Sequence, residues 1–194
     1  MSAETDQHFL NGVTMNKKFF LILLLVPIIL GACQTPVDEE PAPLEGEPFA
    51  IYLLGDSQIT SPELKNYELD KLPLNVMPIL TTKDLVSYDW ERHGMNLTEN
   101  AYLKMMSLFM SGLPSNGVPF VLVAYEQPVY AGAFWSPLST LSFDGVIVFQ
   151  PVDPAAQTLY FELGYPRRDD FTGEDPRSHP RLHQALQDAG LLPE

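Results

Sequence analysis

The sequence has a single cysteine, Cys33, and only 11 lysine and arginine residues against 25 aspartate and glutamate residues. One cysteine cannot form a disulfide within the chain, so folding must rest on a hydrophobic core, for which 45% apolar residues are enough. The net charge of −14 repels nucleic-acid phosphates and anionic lipid head groups. We therefore expect no nucleic-acid binding and no basic membrane-docking face.

The apolar run at residues 19–30 is too short for a transmembrane helix. It covers 12 residues, whereas a helix that spans a bilayer needs roughly 20. Two lysines, at residues 17–18, precede it, and small residues lead from it to Cys33. A charged n-region, a short apolar h-region and a small-residue cleavage site are typical of a secretory signal peptide. Residues 1–32 are predicted to be that signal, and its start is expected at Met15.

The ending Leu30-Gly31-Ala32-Cys33 resembles the lipobox of bacterial lipoproteins. The resemblance implies cleavage after Ala32 and a diacylglycerol on the sulfur of Cys33, often with a further acyl chain on the new amino group. Two or three acyl chains hold a domain on a membrane, which one chain alone does only marginally. We expect a lipid-anchored protein facing the extracytoplasmic side. The alternative is an ordinary cleaved signal with an incidental cysteine.

The residue after the cysteine bears on the destination of the anchor. Gln34 is not the aspartate that commonly retains lipoproteins in the inner membrane of Gram-negative cells. In a cell with two membranes, the outer membrane therefore stays open as a destination beside the cell membrane.

The remainder of the chain divides into a linker and one domain. Residues 33–48 are rich in proline and acidic residues, a composition that disfavours a packed core, so they are predicted to be a semi-extended tether behind the lipidated cysteine. Residues 49–194 are predicted to be a single α+β domain with a polar C-terminal tail. Apolar or alternating runs predict its strands, at residues 49–54, 88–97, 120–125, 129–135, 145–150 and 158–163.

Helical signals are fewer. Thr98 is a suitable N-cap, and apolar residues at helical spacing predict an amphipathic helix over residues 99–111. A single helical turn is expected at residues 80–85, and a last short helix at residues 182–192. The fold class is therefore α+β, with a mixed or antiparallel sheet and one main amphipathic helix packed on it.

Residues 88–150 resemble the head subdomain of the first periplasmic domain of SecD-type translocon proteins. The likeness rests on the helix start Asn96-Leu97-Thr98-Glu99-Asn100-Ala101, on the strand that follows Gly117, and on the hairpin ending Gly132-Ala133-Phe134-Trp135. It implies a non-catalytic module that contacts extended polypeptide. The chain is also similar to small bacterial lipoproteins of unknown function, through Tyr88-Asp89-Trp90, Gly132-Ala133-Phe134-Trp135-Ser136 and Leu163-Gly164-Tyr165-Pro166.

The hairpin aromatics are the candidate binding face. Core packing is the more common explanation for such residues, but an extended peptide that pairs with the hairpin edge would also use them. The residues concerned are Tyr125, Tyr130, Phe134 and Trp135. The favoured function is thus a non-enzymatic interaction module of the envelope, with an envelope protein or peptide as partner.

The segment Gly55-Asp56-Ser57, after a strand, resembles the opening motif of GDSL-type hydrolases. It indicates an alternative function, a small esterase that uses Ser57 as its nucleophile. Asp175 and His179 would be its partners, because a serine nucleophile needs a base and the base needs an orienting carboxylate. Their spacing departs from the family's Asp-x-x-His, and no Gly-x-Asn-Asp block is present.

Metal sites are weakly indicated, so no metal and no cofactor is expected. His179 and His183 lie four residues apart, a spacing used by zinc ligands, but Pro180 interrupts the helix start and no third ligand is evident. Residues 169–175 contain four carboxylates and a glycine without the alternation of a calcium loop, so they are predicted to be solvated. His93 is expected on an exposed strand edge.

Overall fold

In the part of the chain that the structure describes, eight strands form one mixed sheet. The computed structural model describes residues 45–151 and 157–193 of the chain. In chain order the strands are β1 (Ala50–Leu53), β2 (Leu80–Thr81), β3 (Leu85–Asp89), β4 (Gly94–Leu97), β5 (Val118–Ala124), β6 (Gln127–Trp135), β7 (Phe143–Phe149) and β8 (Thr158–Tyr165). Across the sheet they lie in the order β2-β1-β5-β6-β7-β8-β4-β3. The predicted mixed sheet is observed.

All neighbouring strands are antiparallel except β6 and β7, which are parallel. Residues 136–142 join these two strands, a short link for parallel neighbours. The hydroxyl oxygen of Tyr165 on β8 lies 2.8 Å from the carbonyl oxygen of Pro137 and 3.0 Å from that of Ser139. The tyrosine therefore fixes this link over the end of the sheet.

Two α helices accompany the sheet in the described ranges. Helix α1 (Glu99–Met110) begins where predicted, because the hydroxyl oxygen of Thr98 accepts a hydrogen bond from the Ala101 N–H at 3.3 Å. Helix α2 (Pro180–Asp188) is shorter and starts two residues before the predicted helix. Short 3₁₀ helices occur at Ser61–Asn66, Leu69–Lys71, Thr82–Asp84, Arg168–Asp170 and Pro176–Ser178.

Both faces of the central strands are covered. Along β5, Phe120 and Leu122 belong to the larger core, which also takes the buried sides of α1 and α2, whereas Val121 and Val123 belong to a second core. Successive side chains of a strand point to opposite faces, so the two cores lie on opposite sides of the sheet. Residues 59–72, between β1 and β2, cover the second face with their apolar side chains.

The predicted strand at residues 88–97 is wrong, because the chain turns in its middle. Strand β3 ends at Asp89 and β4 starts at Gly94, and the two pair as an antiparallel hairpin. A carboxylate oxygen of Asp89 accepts a hydrogen bond from the Arg92 N–H at 3.0 Å. His93 completes the turn with φ 54°, a left-handed conformation in which histidine is more frequent than most side chains.

Candidate functional site

The predicted lipidation site, Cys33 with Ala32 before it, lies outside the described residues. The described chain begins at Glu45 and is fixed soon after, at Glu47. The carbonyl of Glu47 accepts a hydrogen bond from the Tyr125 N–H, and its carboxylate accepts one from the Thr82 N–H, both at 3.0 Å. Within residues 45–151 and 157–193, no helix has both the length and the apolar character to cross a bilayer.

The predicted binding face on the β5–β6 hairpin is wrong, because its side chains are interior. Tyr125 is 8% exposed, Tyr130 is 4% exposed, and Phe134 and Trp135 are fully buried. The hairpin also has no free edge, since β1 pairs with β5 and β7 pairs with β6. An extended peptide therefore cannot add to it.

These aromatic side chains lie in three different hydrophobic clusters. The ring of Phe134 packs against Phe120 at 4.9 Å between centroids, in the larger core. Trp135 points to the opposite face and stacks on Phe143 at 5.1 Å. The hydroxyl of Tyr125 donates a hydrogen bond to the carboxylate of Asp188 at the end of α2.

Ser57 is exposed, and no described histidine lies in the cleft beside it. It borders a cleft of about 350 Å³ whose described lining residues include Asp56 and Asn75 but no histidine. The ring nitrogen Nδ1 of His179 accepts a hydrogen bond from the Arg181 N–H at 3.1 Å. The structure therefore does not join Ser57 to His179 in a hydrogen-bonded catalytic pair.

The histidine pair and the acidic segment also have structural roles. His179 is the N-cap of α2, and the ring of His183 packs edge-on against Trp90 at 4.8 Å. In the acidic segment, Asp170 accepts a hydrogen bond from the Arg167 N–H, and Asp175 binds Arg177. Among the described residues, no three histidine, cysteine, aspartate or glutamate side chains converge as metal ligands.

A cleft of about 580 Å³ lies beside the edge strand β3, and we call it the Trp90 cleft. It offers a half-buried indole, the carboxylates of Asp89 and Glu91, and the ring of His183. Its full described lining is Ser87, Tyr88, Asp89, Trp90, Glu91, Asn96, His183, Leu192 and Pro193. Aromatic and acidic side chains together favour a partly apolar, cationic ligand.

The outer edge of β3 already accepts an extended chain at one point. Among the strands that the structure describes, β3 is the last of the sheet, so its outward N–H and C=O groups have no strand partner there. The Tyr88 N–H donates to the carbonyl of Leu191 at 2.8 Å, just after α2. The residues that follow, Leu192 and Pro193, line the cleft. The C-terminal segment therefore runs against this edge.

A buried polar cluster lies close to the cleft. The guanidinium of Arg177, 6% exposed, donates two hydrogen bonds to Asp175 and one to the carbonyl of Phe161. The hydroxyls of Tyr88 and Tyr130 are buried and have no hydrogen-bond partner among the described residues. Burial raises the pKa of both tyrosines, so both stay protonated at neutral pH.

The charge of Arg177 in this cluster contributes to the pKa shifts of two further groups, Asp175 and His93. Hydrogen bonds from Arg177 lower the pKa of Asp175 to about 2, so this carboxyl is ionised at neutral pH. His93 was expected on an exposed edge, and that prediction is wrong, since it is 9% exposed. Burial, and then the charge of Arg177, lowers the pKa of His93, which favours a neutral ring.

Sequence reasoning missed both Trp90 and Arg177. Trp90 was treated as part of a continuous strand, although Asp89 before it and Gly94 after it are residues typical of turns. Arg177 lies in a polar segment with no apolar neighbours, so no local signal marks its burial.

Comparison of the chain with family models, curated proteins and solved structures found no match. Its function is therefore inferred from its own residues.

Proposed function

We propose that this chain is a lipid-anchored envelope protein whose domain is a non-enzymatic module for an extended, cationic polypeptide. The anchor is inferred from residues 17–33, where two lysines, a short apolar run and a lipobox-like ending precede the sole cysteine. With the sulfur of Cys33 acylated, the acidic domain would be held at a membrane surface that its charge repels.

The observation that supports binding is the Trp90 cleft, where a half-buried indole lies with the carboxylates of Asp89 and Glu91. The Tyr88 N–H on the edge of β3 is already bonded to the Leu191 carbonyl. The peptide would therefore bind in the cleft beside β3, and not as a strand added at Tyr88.

The anchor is tested with Cys33→Ala in cells fed a palmitate analogue. We expect Cys33→Ala to lose the label and to leave the membrane fraction or remain unprocessed, and Gln34→Ala to behave as the parent protein. A Cys33→Ala protein that is still cleaved before residue 33 and still partitions with membranes would contradict the proposal.

Binding is tested by fluorescence polarisation with the full-length protein in zwitterionic nanodiscs. The probe is a labelled decapeptide of alternating lysine and valine, and the same peptide with glutamate in place of lysine is its control. We expect Trp90→Ala to weaken binding about tenfold, within the usual effect of an aromatic anchor. The matched variant is Tyr67→Ala, which removes an aromatic side chain that is 46% exposed and does not line the cleft.

Two results would reject the cleft as the binding site. One is equal affinity for the lysine and glutamate peptides, since the carboxylates of Asp89 and Glu91 would then have no effect. The other is an unchanged affinity in Trp90→Ala. Either result leaves the test of the lipid anchor unaffected.

A further inference from the structure

We propose that a second cleft, between the 3₁₀ helix Ser61–Asn66 and the start of β7, binds a small monocarboxylate with an apolar body. We call it the Ser61 cleft. It has a volume of about 350 Å³ and shares no lining residue with the Trp90 cleft. The argument uses the lining residues Ser61, Leu64, Lys65, Phe143, Asp144 and Phe171.

The polar group that indicates a ligand is the hydroxyl of Ser61. Ser61 is fully buried, yet its Oγ has no hydrogen-bond partner among the described residues. Most buried hydroxyls in proteins are hydrogen-bonded, because an unsatisfied one costs about 1–3 kcal/mol. Ser61 lines the cleft, so a ligand oxygen that reaches this hydroxyl would accept its hydrogen bond.

The rim carries one charge of each sign. Lys65 is exposed and lines the cleft, so its ammonium can pair with a ligand carboxylate. Asp144 lines the cleft too, and its two carboxylate oxygens accept hydrogen bonds from the N–H and hydroxyl of Thr172, at 2.8 and 2.7 Å. These bonds, and the nearby charge of Lys65, lower the pKa of Asp144, so it is ionised at neutral pH. A second negative charge on the ligand would meet that carboxylate.

Most of the other described residues that line the cleft are apolar. Leu64 and Phe143 are buried and Phe171 is half-buried, so a hydrocarbon or aromatic body would lose water on entering. The volume is at the small end of the range for ligand pockets, roughly 300–1,000 Å³, which limits the ligand to a small molecule. Phe143 also stacks on Trp135 at 5.1 Å, with 13° between the ring planes. A molecule in contact with Phe143 would therefore alter the fluorescence of Trp135.

The experiment is a fluorescence titration of the full-length protein in zwitterionic nanodiscs, with 3-phenylpropanoate as the probe. The chain has two tryptophans, so Trp90→Phe makes Trp135 the only one. In this background we expect 3-phenylpropanoate to give a saturable change in the fluorescence of Trp135. The neutral 3-phenylpropanamide should bind about tenfold more weakly, because it lacks the charge-assisted hydrogen bond. Ser61→Ala and Lys65→Gln should each weaken 3-phenylpropanoate binding by about 5–10-fold, whereas Lys71→Gln, which removes an exposed lysine outside the lining, should not.

The proposal fails if 3-phenylpropanoate gives no saturable change, or if the amide binds as tightly as the acid. It also fails if Lys65→Gln binds as tightly as its parent. Lys65 is exposed, so this variant is expected to fold even if Ser61→Ala does not. Failure here does not affect the Trp90 cleft, which no residue of the Ser61 cleft lines.

Discussion

Arg177 and Asp175 form a two-point ion pair, with Nε to Oδ1 at 2.8 Å and Nη2 to Oδ2 at 2.6 Å. The third contact of the guanidinium, from Nη1 to the carbonyl of Phe161 at 2.6 Å, joins this pair to strand β8. Because the side chain of Arg177 is only 8% exposed, its positive charge is compensated mainly by the carboxylate beside it and little by water. The pair therefore connects the 3₁₀ helix Pro176–Ser178 to the sheet.

Asp175→Asn is expected to lower the free energy of unfolding by about 1–3 kcal/mol, since it leaves the Arg177 charge poorly compensated. The loss should be smaller than the roughly 3–5 kcal/mol of a fully buried pair, because the Asp175 side chain is 32% exposed and solvent screens it. Urea unfolding measures it. Asp70→Asn is the control, because its pair with Lys71 is exposed and should change stability by less than about 0.5 kcal/mol. Equal effects of the two variants would contradict the role assigned to Asp175.

The ionisation of Asp175 should also make the stability of the domain depend on pH. The pKa of this carboxyl is lowered from 3.8 to about 2, so its contribution to stability is complete above pH 3.8 and is lost as the pH falls towards 2. The stability difference between the parent protein and Asp175→Asn should therefore shrink over that interval. A constant difference would show that the charge of Asp175 is not what matters.

His93 is predicted to make the domain less stable below neutral pH. Its pKa is lower in the folded state than the ordinary 6.5, so the unfolded chain binds its proton first. Stability should then fall as the pH drops through 6.5, until the folded-state pKa is reached. His93→Asn removes the titration, and asparagine tolerates the left-handed φ of 54°. Thermal unfolding between pH 5 and 8 should show a shallower slope for His93→Asn than for the parent and for the control, His183→Asn.

Gly132→Ala is expected to destabilise the sheet by about 1–3 kcal/mol, as overpacking does. A Cβ at this position would lie 2.6 Å from the Phe120 ring and 2.6 Å from the backbone oxygen of Val146, which cannot move without disturbing β7. Gly173→Ala is the matched control, because its nearest contact would be 3.4 Å away. Chemical unfolding of the two variants gives the comparison, and an effect of Gly132→Ala no larger than that of Gly173→Ala would be unexpected.

Phe134→Ala tests the interior position of the hairpin aromatics. Removing this fully buried ring from between Phe120 and Phe109 should cost about 3–5 kcal/mol. Leu138→Ala, at a position 89% exposed, should change stability by less than about 0.5 kcal/mol. Calorimetry measures both. A stable Phe134→Ala protein would mean that the ring is not part of the core.

The positions of α1 and β5 could be predicted from the sequence, because residues close in sequence determine them. The N-cap Thr98 and the apolar spacing after it located α1, and the apolar run at residues 120–125 located β5. Such features depend on residues close in sequence, because capping and side-chain periodicity act over one or two turns.

The burial of the β6 aromatics and of Arg177 could not be predicted, because it is determined by residues that are distant in sequence. The aromatics of β6 were assigned to a surface because the sequence does not show that β1 and β7 enclose the hairpin on both sides. The missed turn between β3 and β4 is an exception, because Asp89 and Gly94 mark it locally, although Tyr88 and Trp90 are residues typical of strands. The burial of Arg177 depends on Asp175 and on the carbonyl of Phe161, a contact 16 residues away in the chain.

The entry of the chain into the domain has a mechanical consequence. Glu47 is held by Tyr125 and Thr82, and the chain then continues directly into β1, which has a neighbour on each side. A pulling force transmitted from the N-terminal side would therefore enter an inner strand and not an edge. The ladders of β1 with β2 and β5 would bear such a load together, so β1 could leave the sheet only if the hydrogen bonds on both of its sides were broken.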